Sequence, residues 1–121
     1  MNIQKFTQKS MEAINGIERL GIEYGNQELG QEHLLVSLLH VEDSLILKLI
    51  EKMEINTEHF CAKADEYLEK CIKVSGSGAG QMHISQDLNK VLTFAEDEAK
   101  AMGDEYVSVE HLFLAMIKYP S

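Results

Sequence analysis

At 121 residues the chain is sized for one domain, able to bury roughly two-thirds of its unfolded surface without staples. Its composition, 45% hydrophobic and 26% charged, is ordinary for a soluble globular protein, and no run of about 18 apolar residues offers a membrane span. The net charge of −9 at pH 7 argues against nucleic acid, because phosphate contacts need clustered Lys and Arg and the chain has none.

The first residues, Met1-Asn2-Ile3-Gln4-Lys5, lack the apolar core of a signal peptide, so the expected location is the cytoplasm. Thr7 is a candidate N-cap, with Phe6 before it as a hydrophobic staple. A helix follows to about Tyr24, with Ala13, Ile17, Leu20 and Tyr24 on one stripe, and Gly25 stops it. Gly30 or Gln31 opens a second helix through His40, with Leu34, Leu35, Leu38 and Leu39 facing inward. Asp43-Ser44 caps a third, Leu45 to about Met53, and Asn56 a fourth, to about Lys73. The fourth helix carries Phe60, Ala64, Tyr67 and Cys71 on its stripe.

Cys61 and Cys71 are the two cysteines. Ten residues apart on one predicted helix, they stand about 15 Å apart, too far for a disulfide, and read as reduced core thiols. Ser75-Gly76-Ser77-Gly78-Ala79-Gly80 is a flexible connector. Ser85 then caps a long helix striped by Leu88, Leu92, Ala95, Ala99 and Met102 and stopped at Gly103. Ser108 caps the last helix, with Leu112, Phe113, Met116 and Ile117 apolar. The chain reaches Tyr119-Pro120-Ser121 without closing structure, like the cut edge of a longer protein.

The chain says nearly the same thing twice. Offset by 78 positions, so that His33 falls on His111, Gln8 meets Gln86, Glu18 meets Glu96 and Gly25 meets Gly103. Glu32-His33-Leu34 meets Glu110-His111-Leu112. Thr7 pairs with Ser85, Ile14 with Leu92, Asn26 with Asp104 and Leu29 with Val107. The expected fold is therefore all-α: two tandem helical repeats, about six to eight helices, related by a pseudo-two-fold axis in one domain. Repeat one covers 6–73, the connector 74–83 and repeat two 84–121, since neither half could hide its own apolar faces.

Catalytic signatures are missing. The sequence has no G-x-x-x-x-G-K-[ST], no G-x-S-x-G and no H-E-x-x-H. The Glu-His order is reversed and lacks a second His at the metal spacing. No cysteine pair has zinc spacing. What remains is a set of polar residues repeated at helix starts. Thr7 and Ser85 read as caps, worth about 1 kcal/mol each. Glu32 and Glu110 gain about 0.3–1 kcal/mol from the helix dipole. The dipole alone does not require that each Glu carry the same His and Leu beside it.

These motifs resemble the amino-terminal domain of the Clp unfoldases, ring-forming chaperones of the AAA+ class. The carriers are Phe6-Thr7, Gln31-Glu32-His33-Leu34-Leu35, Ser85-Gln86-Asp87-Leu88 and the run from Gly103-Asp104 to Val109-Glu110-His111-Leu112. The connector and the Ser-Gln-Asp-Leu opener are similar to ClpB-type disaggregases, and the Glu-His motifs to ClpC-type subunits that feed a peptidase. The connector and opener incline the reading to ClpB.

The resemblance implies a non-catalytic, substrate- or adaptor-binding module of a hexameric stress-response chaperone. The ATP and Mg sites would lie in ATPase modules outside this chain, and the isolated domain would be a monomer. Implied partners are unfolded or aggregated proteins, adaptor proteins, or proteins marked with phosphoarginine. In such domains the positions of Thr7, Asp104 and Glu110 serve chaperone action near an apolar groove to which Phe94 belongs. Glu98 and His111 stand where that groove is often apolar. Glu32 and Glu110 match the glutamates that receive phosphoarginine in ClpC-type domains. A reading of another class is a small-ligand-binding helical domain.

Overall fold

The computed structural model describes residues 3–73 and 81–120, and the predicted connector at 74–80 lies outside them. A 3-10 turn, Ile3–Lys5, precedes α1, Gln8–Tyr24. Then come β1 (Glu28–Leu29), α2 (Gln31–His40), α3 (Leu45–Lys52) and α4 (Thr57–Glu69). The second half holds β2 (His83–Ile84), α5 (Gln86–Ala101) and α6 (Val109–Lys118). Six α-helices thus stand among the described residues, and the all-α, two-repeat reading holds.

Local chemistry sets the helix starts. The Ser10 N–H donates to Thr7 Oγ1 at 3.1 Å, the His59 N–H to Asn56 Oδ1 at 3.0 Å and the Leu88 N–H to Ser85 Oγ at 3.0 Å. Ser44 accepts from the Leu47 N–H more loosely, at 3.4 Å. Gly25 and Gly103 take left-handed φ values of 70° and 73°, which end α1 and α5.

Three sequence-based expectations differ from the structure. α4 ends at Glu69 rather than near Lys73. Tertiary bonds capture the chain there: Asn26 Nδ2 donates to the Ile72 carbonyl at 3.0 Å, and Lys73 Nζ to the Tyr24 carbonyl at 3.3 Å. The cysteines are free as expected, but both are half-buried rather than core. Finally, Tyr67, Met102 and Ile117 lie on apolar stripes yet are 57%, 58% and 59% exposed.

The two short strands were not foreseen. β1 and β2 run parallel, Leu29 opposite Ile84, and an isolated parallel bridge joins Phe6 to Val107. In the repeat register Phe6 corresponds to Ile84 and Leu29 to Val107. Each repeat's entry therefore pairs with the segment between the first two helices of the other repeat. The Ser85 N–H donates to the Leu29 carbonyl at 2.8 Å, and the Thr7 N–H to the Val107 carbonyl at 2.9 Å. One core lies behind these crossings, built from Leu34, Leu38, Ile46, Ile50 and Leu68 together with Leu88, Leu92 and Leu112.

A Cβ at Gly103 would meet nothing within 4 Å, so only its positive φ penalises a side chain. Gly103→Ala should cost about 1–2 kcal/mol, the left-handed penalty, in chemical denaturation. Gly103→Asn should cost less, since Asn tolerates that region. Equal stability of Gly103→Ala and wild type would refute the assignment.

Candidate functional site

The duplicated Glu-His-Leu segment forms a brace in each half. The Gly30 N–H donates to His33 Nδ1 at 3.0 Å, and the Ser108 N–H to His111 Nδ1 at 2.9 Å. Each Nδ1 therefore accepts, and each Nε2 carries the proton. Nε2 of His33 donates to Asn26 Oδ1 at 2.8 Å, and Nε2 of His111 to Asp104 Oδ2 at 2.8 Å. The imidazole replaces the glutamate of a conventional capping box and ties the helix start to the preceding turn. Leu34 and Leu112, next in sequence, are fully buried.

Ser108 Oγ lies 3.0 Å from His111 Nδ1, so Ser108, His111 and Asp104 line up as a hydroxyl, an imidazole and a carboxylate. This is not a nucleophile and its base. Nδ1 already accepts the Ser108 N–H, and the first repeat makes the same ring contacts with Gly30, which has no hydroxyl. The line of three is scaffold.

The braces differ in charge. Asn26 is buried and neutral, whereas Asp104 is exposed and acidic. Burial holds His33 below the usual imidazole range, against the weaker opposing effect of the Glu32 charge.

Two concavities accompany the braces. The smaller, about 280 Å3, sits at the crossing of Thr7 and Val107 and is lined by Thr7, Lys9, Leu45, Ser108, Val109 and Glu110, with Leu38 and Val41 beneath. The larger, about 780 Å3, is an apolar groove between α2, α3, α4 and α6. Its walls include Leu35, Met53, Tyr67, Phe113 and Ile117, with Glu32 and Lys70 among the polar residues. Cys71 also lines it, and its thiol is pushed up by burial and then by the Glu32 carboxylate to which it hydrogen-bonds.

The candidate residues therefore separate. Thr7 and Glu110 meet in the small pocket, while Asp104 and His111 form the brace behind it. Glu32 lies in the groove. Phe94 lines neither concavity; its ring stacks on Tyr119 with centroids 3.8 Å apart. Beside it Glu98 accepts from Lys118 Nζ at 2.9 Å, which raises the Lys118 pKa. The groove walls from α3 and α4 escaped the sequence reading because Tyr67 and Phe60 fit the periodicity of a core stripe. Among the described residues no cluster of three or more His, Cys, Asp or Glu could hold a metal, and no helix is long and apolar enough to cross a membrane.

Comparison with known proteins agrees with this layout. A profile described as the Clp repeat (R) N-terminal domain matches residues 5–121. The chaperone protein ClpB of Nitratidesulfovibrio vulgaris is 39% identical across 100% of this chain, which spans 14% of that protein's length. The solved Hsp104 N-terminal domain from Candida albicans has a TM-score of 0.84 at 22% identity, covering 95% of this chain and 75% of that one. The N-terminal domain of the ClpV1 ATPase from E. coli EAEC also reaches 0.84, at 20% identity, over 98% of this chain and 71% of that one.

His33→Ala should cost at least about 2 kcal/mol, since it leaves buried Asn26 Oδ1 and the Gly30 N–H unpartnered at about 1–3 kcal/mol each. His111→Ala should cost less, because water can reach Asp104. Below pH 6.5 the unfolded state takes a proton that folded His33 refuses, so wild type loses stability as pH falls. The gap between wild type and His33→Ala should narrow on acidification, by at most about 1.4 kcal/mol per pH unit. Denaturant titrations at pH 7.5 and 5.5 read both; a constant gap would refute the neutral brace.

Proposed function

From this chain's membership in the Clp repeat N-terminal domain family, we propose that it is the substrate- or adaptor-binding module of a ClpB-type ATP-dependent chaperone. The chain itself performs no catalysis. ATP and Mg belong to ATPase modules elsewhere in the longer protein, which works in the cytoplasm as a hexamer on unfolded or aggregated proteins.

One observation carries the reading. Thr7 and Glu110, from opposite repeats, line a single pocket with apolar walls from Leu38, Val41, Leu45 and Val109. A hydroxyl and a carboxylate beside an apolar floor suit an extended segment that offers an apolar side chain next to a backbone N–H or a basic group. Asp104 supports the site indirectly, by fixing the start of α6 through His111.

A second reading, phosphoarginine recognition, has an observation of its own. Each repeated glutamate shares its concavity with a lysine: Glu110 with Lys9, and Glu32 with Lys70. A carboxylate pairs with a guanidinium and an ammonium with a phosphate. Lys9 Nζ donates to the Glu42 carbonyl at 3.0 Å, which holds it at the pocket edge.

The test is calorimetric titration of wild type, Thr7→Ala, Glu32→Gln and Glu110→Gln with a denatured protein and with arginine and phosphoarginine peptides. Loss of a charge-assisted hydrogen bond, about 1.5–3 kcal/mol, should weaken binding to Glu110→Gln about tenfold or more. The loss should shrink at high salt. Wild-type affinity of Glu110→Gln for every ligand would leave the helix dipole as its whole role. Purified chain should hydrolyse neither ATP nor peptide; turnover above a buffer blank would overturn the non-catalytic reading.

A further inference from the structure

The two repeats treat one position differently. α2, Gln31–His40, and α6, Val109–Lys118, keep the repeat register at both ends, and α1 and α5 keep it at their starts. In repeat two an aromatic pair occupies this position: Phe94 of α5 stacks on Tyr119, just past α6, with centroids 3.8 Å apart. An ion pair, Lys118 with Glu98 at 2.9 Å, stands beside the stack. In repeat one the register puts Gly16 in place of Phe94, Val41 in place of Tyr119, Leu20 in place of Glu98 and His40 in place of Lys118. Neither ring of the stack has a counterpart there. A cavity of about 470 Å3 lies between α1 and α2 instead, with Asp65 of α4 on its wall.

Gly16 keeps that cavity open. A Cβ on it would run into Ser37 Oγ, which donates to the Ala13 carbonyl, so α1 and α2 meet too closely there for a side chain. The walls suit an aromatic ring supplied from outside. Leu20, Val36 and Val41 are apolar. Arg19 lines the cavity with its guanidinium 3.6 Å from where a Gly16 Cβ would stand, and it has no ion-pair partner among the described residues. A guanidinium plane stacks on an aromatic face. Glu12, Glu23 and Asp65 also line the cavity, so a cation next to the ring would meet carboxylates.

We propose that this cavity is a second peptide-binding position, which takes an aromatic side chain flanked by basic residues where repeat two holds its own Phe94. The occupant is a segment of unfolded polypeptide. Its ring stacks on Arg19 and packs against Leu20 and Val41, and its neighbouring Lys or Arg faces Glu23 or Asp65. The class of ligand rests on the substrate-binding reading, but the position does not. It shares Val41 with the Glu110 pocket and otherwise has walls of its own. Repeat one thus receives from a partner the ring that repeat two supplies for itself.

The experiment is an NMR titration of the isotope-labelled chain with a capped pentapeptide, Gly-Lys-Phe-Lys-Gly, and with its Ala-for-Phe analogue. The Phe peptide should shift the amide signals of Gly16, Leu20, Ser37 and Val41. The Ala analogue should bind about tenfold or more weakly, the worth of burying one aromatic side chain. Arg19→Ala should weaken the Phe peptide about threefold or more by loss of the stacked cation. Arg19→Lys should recover only part of the affinity, because an ammonium has no plane to stack. Arg19 is exposed, so both variants should keep the wild-type melting temperature. Shifts confined to Thr7, Ser108 and Glu110, with wild-type affinity in Arg19→Ala, would overturn the proposal and leave the Glu110 pocket as the binding site. Equal binding of the two peptides would also overturn it, since charge alone would then account for the contact. So would a chain that binds neither peptide, while the Glu110 reading is decided by its own titration with denatured protein.

Discussion

The pairing of each repeat's entry with the turn before the other repeat's second helix is the constraint on which the rest depends. The Thr7 N–H reaches the Val107 carbonyl and the Ser85 N–H reaches the Leu29 carbonyl. Each bond joins the first residues of one repeat to the turn before the second helix of the other. Ser10 adds a hydroxyl bond to the same Val107 carbonyl at 2.9 Å. Neither repeat can set its own entry without its partner, which is why a single core runs through both halves. Cross-pairing also places Thr7 beside Ser108 and Glu110. The pocket is a product of the crossing, and the sequence separation of its walls follows from it.

The braces resolve what the repeated Glu-His-Leu means. His is retained because its ring satisfies the N-cap donor and the preceding Asx residue together. Leu is retained because it is fully buried. Packing accounts for two of the three residues and leaves the glutamate, half-buried at Glu32 and exposed at Glu110, with the helix dipole and, at Glu32, the Cys71 thiol. The surplus lies in the residue that touches open space.

Helix starts were legible because a cap is a local bond: Thr7, Ser44, Asn56 and Ser85 act within three residues of themselves. The glycine stops were legible for the same reason. The two-residue strands were not, because Leu29 meets Ile84 only after the fold has closed. Periodicity identified the apolar stripes but could not say what covers them. Leu39 and Ile117 occupy the same phase of matching helices, and one is buried while the other is exposed. Of the candidate site, Thr7 with Glu110 came together. Phe94 was placed by resemblance alone, and its ring is engaged by Tyr119, a contact set by the chain's path after α6.

Divergence between the repeats shows where an ionic function can be placed. In repeat one the brace is Asn26–His33–Gly30, shielded and without charge on the Asx residue. In repeat two it is Asp104–His111–Ser108, with an exposed carboxylate and a hydroxyl. The scaffold bonds are the same, so stability does not demand the added polar groups. Ser108 lines the pocket that holds Glu110, with Asp43 and Lys9 also on its walls, and Asp104 stands behind it on His111. Two carboxylates, Asp43 and Glu110, and one ammonium leave that pocket with a net negative charge, felt most where water is displaced. There the carboxylates of Asp43 and Glu110 lie beside the apolar side chains of Leu38, Val41, Leu45 and Val109. The two repeats thus share one set of scaffold bonds, and the second alone adds a carboxylate and a hydroxyl to them.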